Sequence, residues 1–283
     1  MGWMRRPRLV FAWLGLCLGP GAAGVVQAGE VPLWEVGFGF AGLSIPDYRG
    51  SDERQSYLLP LPYVVYHGDL VKIDRRGISS RLFASGDVTL DFSLDAGVPV
   101  KSEKNDARGG MPDLDPTVEI GPSLEICLWS SCRDGRVLML KLPARAVFAT
   151  DFKSAEAIGW VFYPHLNYDD QRLLPGGWNF GLAVGPLYAT EKYHDYYYQV
   201  APAFAAPGRP AYDARGGYSG LRTTVAISRR FDRLWVGAFA RYDDLSGVAF
   251  EDSPLMRVRR SFMTGFGVAW VLGESATRVE TSP

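Results

Sequence analysis

The three histidines are the side chains best suited to acid–base or metal chemistry at neutral pH. They are His67, His165 and His194, and they lie far apart on separate predicted elements. A catalytic triad is defined by geometry, so His194 and Asp195 could still meet a serine from another segment. Nothing in the spacing indicates such an arrangement. We therefore expect no catalytic residues and no metal site.

A glycine-rich segment, Gly37-Phe-Gly-Phe-Ala-Gly42, formally matches the dinucleotide fingerprint G-x-G-x-x-G. That chemistry requires a helix directly after the glycines, because the helix N-terminus binds the pyrophosphate. The residues that follow, Leu43-Ser-Ile-Pro-Asp47, indicate a turn instead. We expect these glycines to lie in a strand, where small side chains relieve crowding, and we expect no cofactor.

The cysteines and the acidic runs offer weaker signals. Cys127 and Cys132 enclose the sequence CLWSSC, and in an oxidising compartment they could form a disulfide across a hairpin end. Two free thiols are the alternative. The runs SDER and PDLDP lack the D-x-D-x-D-G pattern of a calcium loop, so we interpret them as solvated loop tips. A formal net charge of −1 provides no basic surface for nucleic acid.

Residues 1–28 have the organisation of a cleaved signal peptide. Three arginines precede an apolar run from Leu9 to Leu18, and Val26-Gln-Ala28 supplies small residues for cleavage. A retained membrane helix is the alternative, but an apolar run of about ten residues is too short to span a bilayer. We therefore expect export.

Beyond the signal peptide, polar and apolar residues alternate with the period of two that is typical of strands. In Asp87–Ala96, the Asp, Thr and Ser side chains fall on one face and the apolar side chains on the other. We predict twelve strands, at 33–43, 57–66, 70–74, 77–83, 87–98, 117–128, 136–148, 157–168, 177–190, 218–230, 234–243 and 259–272.

The lengths of the connections separate a membrane barrel from a soluble sandwich. Long connections, such as 44–56 with its polar stretch IPDYRGSDERQS, alternate with short turns such as HGD and FDR. With both termini in the periplasm, every long loop lies outside the cell, as in outer-membrane barrels. A sandwich would also have to bury charged faces at high cost. The longest loop contains a tyrosine cluster that we expect to fold back over the barrel mouth.

The predicted fold class is therefore all-β, a closed antiparallel transmembrane β-barrel with short periplasmic turns and long extracellular loops. Twelve strands are expected, and ten is the alternative because the two at 70–74 and 77–83 are short. The barrel would occupy residues 29–272 of the outer membrane, in contact with its lipid and lipopolysaccharide. A polar C-terminal tail would cover 273–283.

Charged side chains on the inward faces form the most informative constellation. Acidic residues fall on the first, fifth and sixth strands, and basic residues on the seventh, tenth and eleventh. The nine are Glu35, Asp91, Asp95, Glu119, Glu125, Lys141, Arg145, Arg222 and Arg241. Opposed walls of charge would create a transverse field, as in solute channels. The same residues could instead pair into a hydrogen-bonded plug, and both interpretations stay open.

Several segments, in this order, resemble the MipA/OmpV family of Gram-negative outer-membrane proteins. They are PDYRGSD with YLLPLPYVVY, then YHDYYYQV, AYDARGGY and YDDLSGVAFEDSPLM. The resemblance implies an outer-membrane barrel without enzyme activity. It also suggests the role reported for one branch, a scaffold for a lytic transglycosylase and a peptidoglycan synthase in murein growth. A narrow solute channel is the alternative function, and an outer-membrane lipase or protease is the third.

Overall fold

The computed structural model describes residues 30–68, 72–74, 77–79, 83–85, 87–129 and 136–280. The predicted signal peptide lies outside the described residues. Among those residues, no helix has the length and hydrophobicity needed to cross a membrane. The strands of the described chain are β1 (Glu30–Pro32), β2 (Trp34–Pro46), β3 (Arg54–His67), β4 (Lys72–Asp74), β5 (Gly77–Ser79), β6 (Phe83–Ser85), β7 (Val88–Gly97), β8 (Thr117–Cys127), β9 (Arg136–Thr150), β10 (Ala155–Phe162), β11 (His165–Leu174), β12 (Trp178–Ala189), β13 (Gly217–Phe231), β14 (Leu234–Asp244), β15 (Arg260–Glu274) and β16 (Arg278–Glu280).

Fourteen of these strands form one antiparallel sheet, which confirms the all-β, antiparallel part of the predicted fold. Their order is β5-β4-β3-β2-β15-β14-β13-β12-β10-β9-β8-β7-β6, and β11 pairs with β12 and β9. Strands β10 and β11 are two halves of one long strand, interrupted at Tyr163 and Pro164. Proline has no N–H to donate to a ladder, so it accounts for the interruption. The first and last long strands, β2 and β15, are neighbours in the sheet.

The predicted strands at 70–74 and 77–83 correspond to the three-residue strands β4, β5 and β6. Several residues between these pieces lie outside the described part of the chain, so the total of twelve stays a prediction. When β10 and β11 are taken together, the described chain has ten long strands.

One face of the sheet exposes large apolar side chains. In β15, Phe266 and Trp270 are 53% and 47% exposed, whereas the intervening Ala269 is fully buried. A soluble protein buries such residues against a core. The glycine-rich segment lies inside β2, where a Cβ on Gly39 would overlap the carbonyl oxygen of Val268 on β15. No helix follows these glycines, since β2 continues to Pro46, and the dinucleotide interpretation therefore fails.

The long connections fold together over one end of the sheet. We call this part, formed by residues 47–53, 98–116, 190–216 and 245–259, the cap. It contains one α-helix, α1 (Glu191–Tyr198), and three short 3-10 turns. The buried apolar residues of the cap form one cluster: Tyr48, Val100, Ala107, Leu114, Tyr198, Val200, Ala214, Leu245, Val248, Phe250 and Leu255. The cap is therefore a packed unit with a core of its own.

The two ends of the described chain meet at the opposite end of the sheet. Glu30–Pro32 pairs with Arg278–Glu280 as a separate two-stranded sheet, β1–β16. The last strand of the main sheet, β15, continues to Glu274, two residues beyond the predicted boundary at 272. Part of the predicted polar tail is therefore strand, held in place by pairing with the first described residues.

Candidate functional site

Charged side chains on β7, β8 and β9 pair directly with one another on the inward face. Glu125 on β8 and Lys141 on β9 are register partners, and their Oε1 and Nζ atoms lie 2.7 Å apart. Arg145 on β9 binds Glu119 through Nε at 2.8 Å and approaches Asp95 on β7 at 3.6 Å. Acidic and basic residues are thus side by side on adjacent strands, where each charge stabilises its neighbour.

Three further ion pairs involve partners that the sequence analysis did not single out. Arg222 on β13 donates from Nε to Asp243 on β14 at 2.9 Å, and Arg49 of the cap lies 3.4 Å from the same carboxylate. Glu35 on β2 accepts from Arg230 on β13 at 2.5 Å. Arg230 and Asp243 lie at inward positions of the same alternation that identified Arg222, so a wider count along each strand would have found them.

The remaining two of the nine predicted charged residues, Asp91 and Arg241, make other contacts. Asp91 is half-buried on β7, and its Oδ1 accepts a hydrogen bond from the backbone N–H of Phe92 at 2.6 Å. Arg241 on β14 has no carboxylate within ion-pair distance among the described residues. Its Nη1 lies 3.8 Å from the sulfur of Met263, and its buried Nε has no hydrogen-bond partner there. Arg241 is therefore a cation without a hydrogen-bonded carboxylate in the described chain, although Asp95 and Asp243 attract it from a greater distance.

A cavity of about 170 Å³ lies between the sheet and the cap, and some of these charges line it. Its polar wall includes Asp95, Arg222, Arg241 and Asp243, which come from β7, β13 and β14. Its apolar wall includes Phe239 and the tyrosines of α1. Leu43 and Ile45 of β2 complete it, although β2 and β7 lie towards opposite ends of the sheet order. The sheet therefore curls so that distant strands line one cavity.

Helix α1 is the lid of this cavity. Tyr193 and Tyr197 pack with ring centroids 5.1 Å apart, and both line the cavity. Tyr198 stacks on Phe250 at 3.6 Å and donates from its hydroxyl to the carbonyl of Arg49 at 2.8 Å. Burial raises the pKa of Tyr193 and of Tyr198, so both remain neutral phenols. The tyrosine cluster folds back over the mouth, as the sequence analysis expected.

His194 does meet a serine, but inside the cap. Its Nδ1 lies 2.5 Å from the carbonyl oxygen of Arg215, and its Nε2 lies 3.0 Å from Oγ of Ser219. This resembles a Ser–His dyad oriented by a backbone carbonyl. Both residues are buried, neither lines the cavity, and Arg49 also donates to the Ser219 hydroxyl at 3.1 Å. Burial lowers the pKa of His194 to about 4, so the imidazole is neutral. The pair ties helix α1 of the cap to β13 and offers no route for a substrate.

The other two histidines and the cysteines, which the sequence analysis considered for chemistry, do not come together in one site in the described chain. His67 binds the carbonyl of Pro32, and His165 stacks on Tyr163 at 4.2 Å. In the described chain, no three His, Cys, Asp or Glu residues are grouped to hold a metal. Cys127 is disulfide-bonded. Since Cys132 lies outside the described residues, the pairing between these two stays a prediction.

Comparisons with known proteins give one extensive match. The family model described as MltA-interacting protein MipA matches residues 38–272. No curated protein matches the sequence. Among solved structures, a NanC porin shares 9% identity at a TM-score of 0.36, over 85% of this chain and 100% of that chain. A Pseudomonas aeruginosa FadL homologue shares 10% identity at a TM-score of 0.35, over 85% of this chain and 68% of that chain. Pseudomonas aeruginosa OprG shares 10% identity at a TM-score of 0.24, over 87% of this chain and 96% of that chain.

Proposed function

Because this chain belongs to the MipA family, we propose that it is a non-enzymatic outer-membrane β-barrel that acts as a scaffold for cell-wall enzymes. The family is named for interaction with MltA, a lytic transglycosylase, and the match over residues 38–272 is the observation that carries the proposal. It agrees with the resemblance drawn from the sequence segments. A peptidoglycan synthase is the second proposed partner.

The outward face of the sheet supports a position in the membrane. Exposed large apolar side chains occur on every long strand from β2 to β15 except β9 and β14, and many of them are aromatic. Leu58 and Leu272 are 71% and 72% exposed, which water would penalise and lipid would not. Lipid and lipopolysaccharide are accordingly the proposed surroundings of this face.

Two observations support closure of the sheet into a barrel. Strands β2 and β7 line the same cavity from opposite parts of the sheet order. Cα atoms of β5, at one end of that order, also approach those of β7, near the other end, within 8 Å. Closure would remove the two free edges that an open sheet leaves unpaired, which is required inside a bilayer.

The periplasmic end limits where a protein partner could bind. The turns there are short, such as the connection between β13 and β14. The two-stranded sheet β1–β16 adds backbone groups and side chains beyond those turns, with Val31 opposite Val279. An enzyme partner in the periplasm would therefore meet this terminal sheet before other parts of the barrel.

Cross-linked pull-down from an outer-membrane fraction tests the scaffold role. The wild type and Val279→Thr, which keeps the backbone N–H, are expected to recover a lytic transglycosylase. Val279→Pro removes that donor and should recover much less, while heat-modifiable migration shows that all three barrels are folded. Recovery of no cell-wall enzyme with the folded wild type would reject the scaffold role. Equal recovery of the transglycosylase with Val279→Pro would show that the partner binds outside the β1–β16 sheet.

A narrow solute channel is the second candidate, favoured by the charged interior. The direct ion pairs and the packed cap oppose it, because both must yield before a solute can pass. Planar-bilayer recording decides between the two: pure, folded protein without discrete current is not a channel. For the lipase or protease candidate, the sealed Ser219 and His194 predict no turnover on phospholipid and peptide panels.

A further inference from the structure

We propose that the cavity beneath the cap binds a small organic monoanion, with Arg241 as the group that holds its carboxylate. The site lies in the barrel interior and is independent of any scaffold role at the periplasmic end. Its ligand class follows from the charges, the apolar wall and the volume.

The carboxylates in the cavity wall are already engaged. Asp243 accepts from Arg222 and lies beside Arg49. Asp47 accepts from the side-chain amide of Asn105 at 2.8 Å.

Asp95 faces Arg145 at 3.6 Å and accepts from the backbone N–H of Ala96 at 2.9 Å. Arg241 is different, because its hydrogen-bonding contact in the described chain is the weak one to the sulfur of Met263, and Asp95 and Asp243 attract it only from beyond ion-pair distance. A cation held in a partly dry interior is costly without a counter-charge. A ligand carboxylate beside Arg241 would supply that charge through a charge-assisted hydrogen bond.

The rest of the cavity fits an apolar body rather than a hydrated inorganic ion. Phe239, Met263, Tyr193 and Tyr197 supply apolar surface to the same cavity. A cavity of about 150 Å³ lined by apolar groups is known to hold benzene. The cavity here, at about 170 Å³, is of the same size. A benzene-sized or short aliphatic carboxylate therefore matches both the volume of the cavity and the arginine in its wall that lacks a hydrogen-bonded carboxylate.

Isothermal titration of the full, detergent-folded protein with benzoate and with its neutral counterpart benzamide tests the proposal. Wild type is expected to bind benzoate at least tenfold more tightly than benzamide. Arg241→Met should lose that tenfold preference, and Arg241→Lys should keep part of it. Arg172→Met is the matched control, because Arg172 is exposed on β11 and does not line the cavity. It should bind both compounds as the wild type does.

A second variant keeps the test decisive where Arg241→Met does not fold. Ser261 is buried and lines the cavity, so Ser261→Phe would place a benzene-sized ring in the proposed site. We expect it to abolish benzoate binding with Arg241 still present. The proposal is overturned where wild type binds benzoate no better than benzamide, or binds neither. Unchanged benzoate affinity in a folded Arg241→Met or Ser261→Phe protein would also overturn it.

Discussion

The buried imidazole of His194 makes the stability of the cap depend on pH. In the closed cap it lies between the carbonyl of Arg215 and the hydroxyl of Ser219, fully removed from water. Burial lowers its pKa from 6.5 to about 4. An opened cap would expose the ring and restore the ordinary value. Protons therefore bind the open form more readily between these two pKa values, and cap stability falls as the pH drops below 6.5.

The size of the effect follows from the two pKa values. At pH 7 the histidine is mostly neutral in both forms and contributes little to the difference. At pH 5 the opening equilibrium constant of the cap is about 30-fold larger than at high pH, which lowers the stability of the closed cap by about 2 kcal/mol. Asp195 on the same helix acts in the opposite direction, because burial raises the pKa of its carboxyl. A non-titrating replacement of His194 isolates the contribution of the imidazole.

Hydrogen exchange of the α1 amides, followed by mass spectrometry and corrected for intrinsic rates, measures cap opening directly. Wild type should lose about 20-fold protection in Glu191–Tyr198 between pH 7 and pH 5. His194→Gln should lack this loss, although its cap will be weaker at both pH values. His67→Gln, at the other end of the sheet, should respond as wild type does. An equal loss of protection in His194→Gln and wild type would refute the reasoning.

Three further substitutions have expected outcomes. Arg145→Met leaves Glu119 without its buried partner and should lower the free energy of unfolding by about 3 kcal/mol, measured by urea unfolding with tryptophan fluorescence. A double variant that also carries Glu119→Gln should recover much of this loss. Additive losses in the two single variants and the double variant would contradict the pairing. Phe266→Arg, in the middle of the exposed apolar face, should cost about 2–4 kcal/mol and reduce membrane insertion, whereas Phe266→Tyr should not. Gly39→Ala should push β2 away from Val268 on β15 and lower the yield of heat-modifiable protein, and a normal yield would show that the strands can separate without cost.

The strands were largely predictable, and the reason is physical. Alternation with period two survives wherever one face meets lipid and the other does not, so segments such as 117–128 and 136–148 correspond closely to β8 and β9. The short strands β4 to β6 are too brief for this signal. Helix α1 was not predicted, because YHDYYY has no helical stripe of apolar residues and its burial depends on the loops around it.

The pairing of charges on the inward face of the sheet was only partly predictable. The alternation of side chains along a strand indicates which residues face inward, and all nine predicted charges were chosen in this way. It does not indicate which residue of a distant strand each side chain contacts. Glu35 binds Arg230, although β14 and β15 lie between their strands. Arg49 reaches Asp243 from a cap loop that appeared in the sequence as a solvated tip. Such partners depend on how far the sheet curls, which local patterns do not determine.

The cap makes the two ends of the molecule functionally unequal. Its loops are tied by side-chain hydrogen bonds to backbone, from Tyr48 to Leu255 at 2.8 Å and from Ser253 to Tyr198 at 2.7 Å. Together with the buried cluster, these bonds have to break before the outer mouth can open, so a receptor or a pore that works through flexible loops is a poor fit. A scaffold that acts from the periplasm needs no such opening. The proposed functions therefore separate by end, with partner proteins at the terminal sheet and any small ligand beneath the cap.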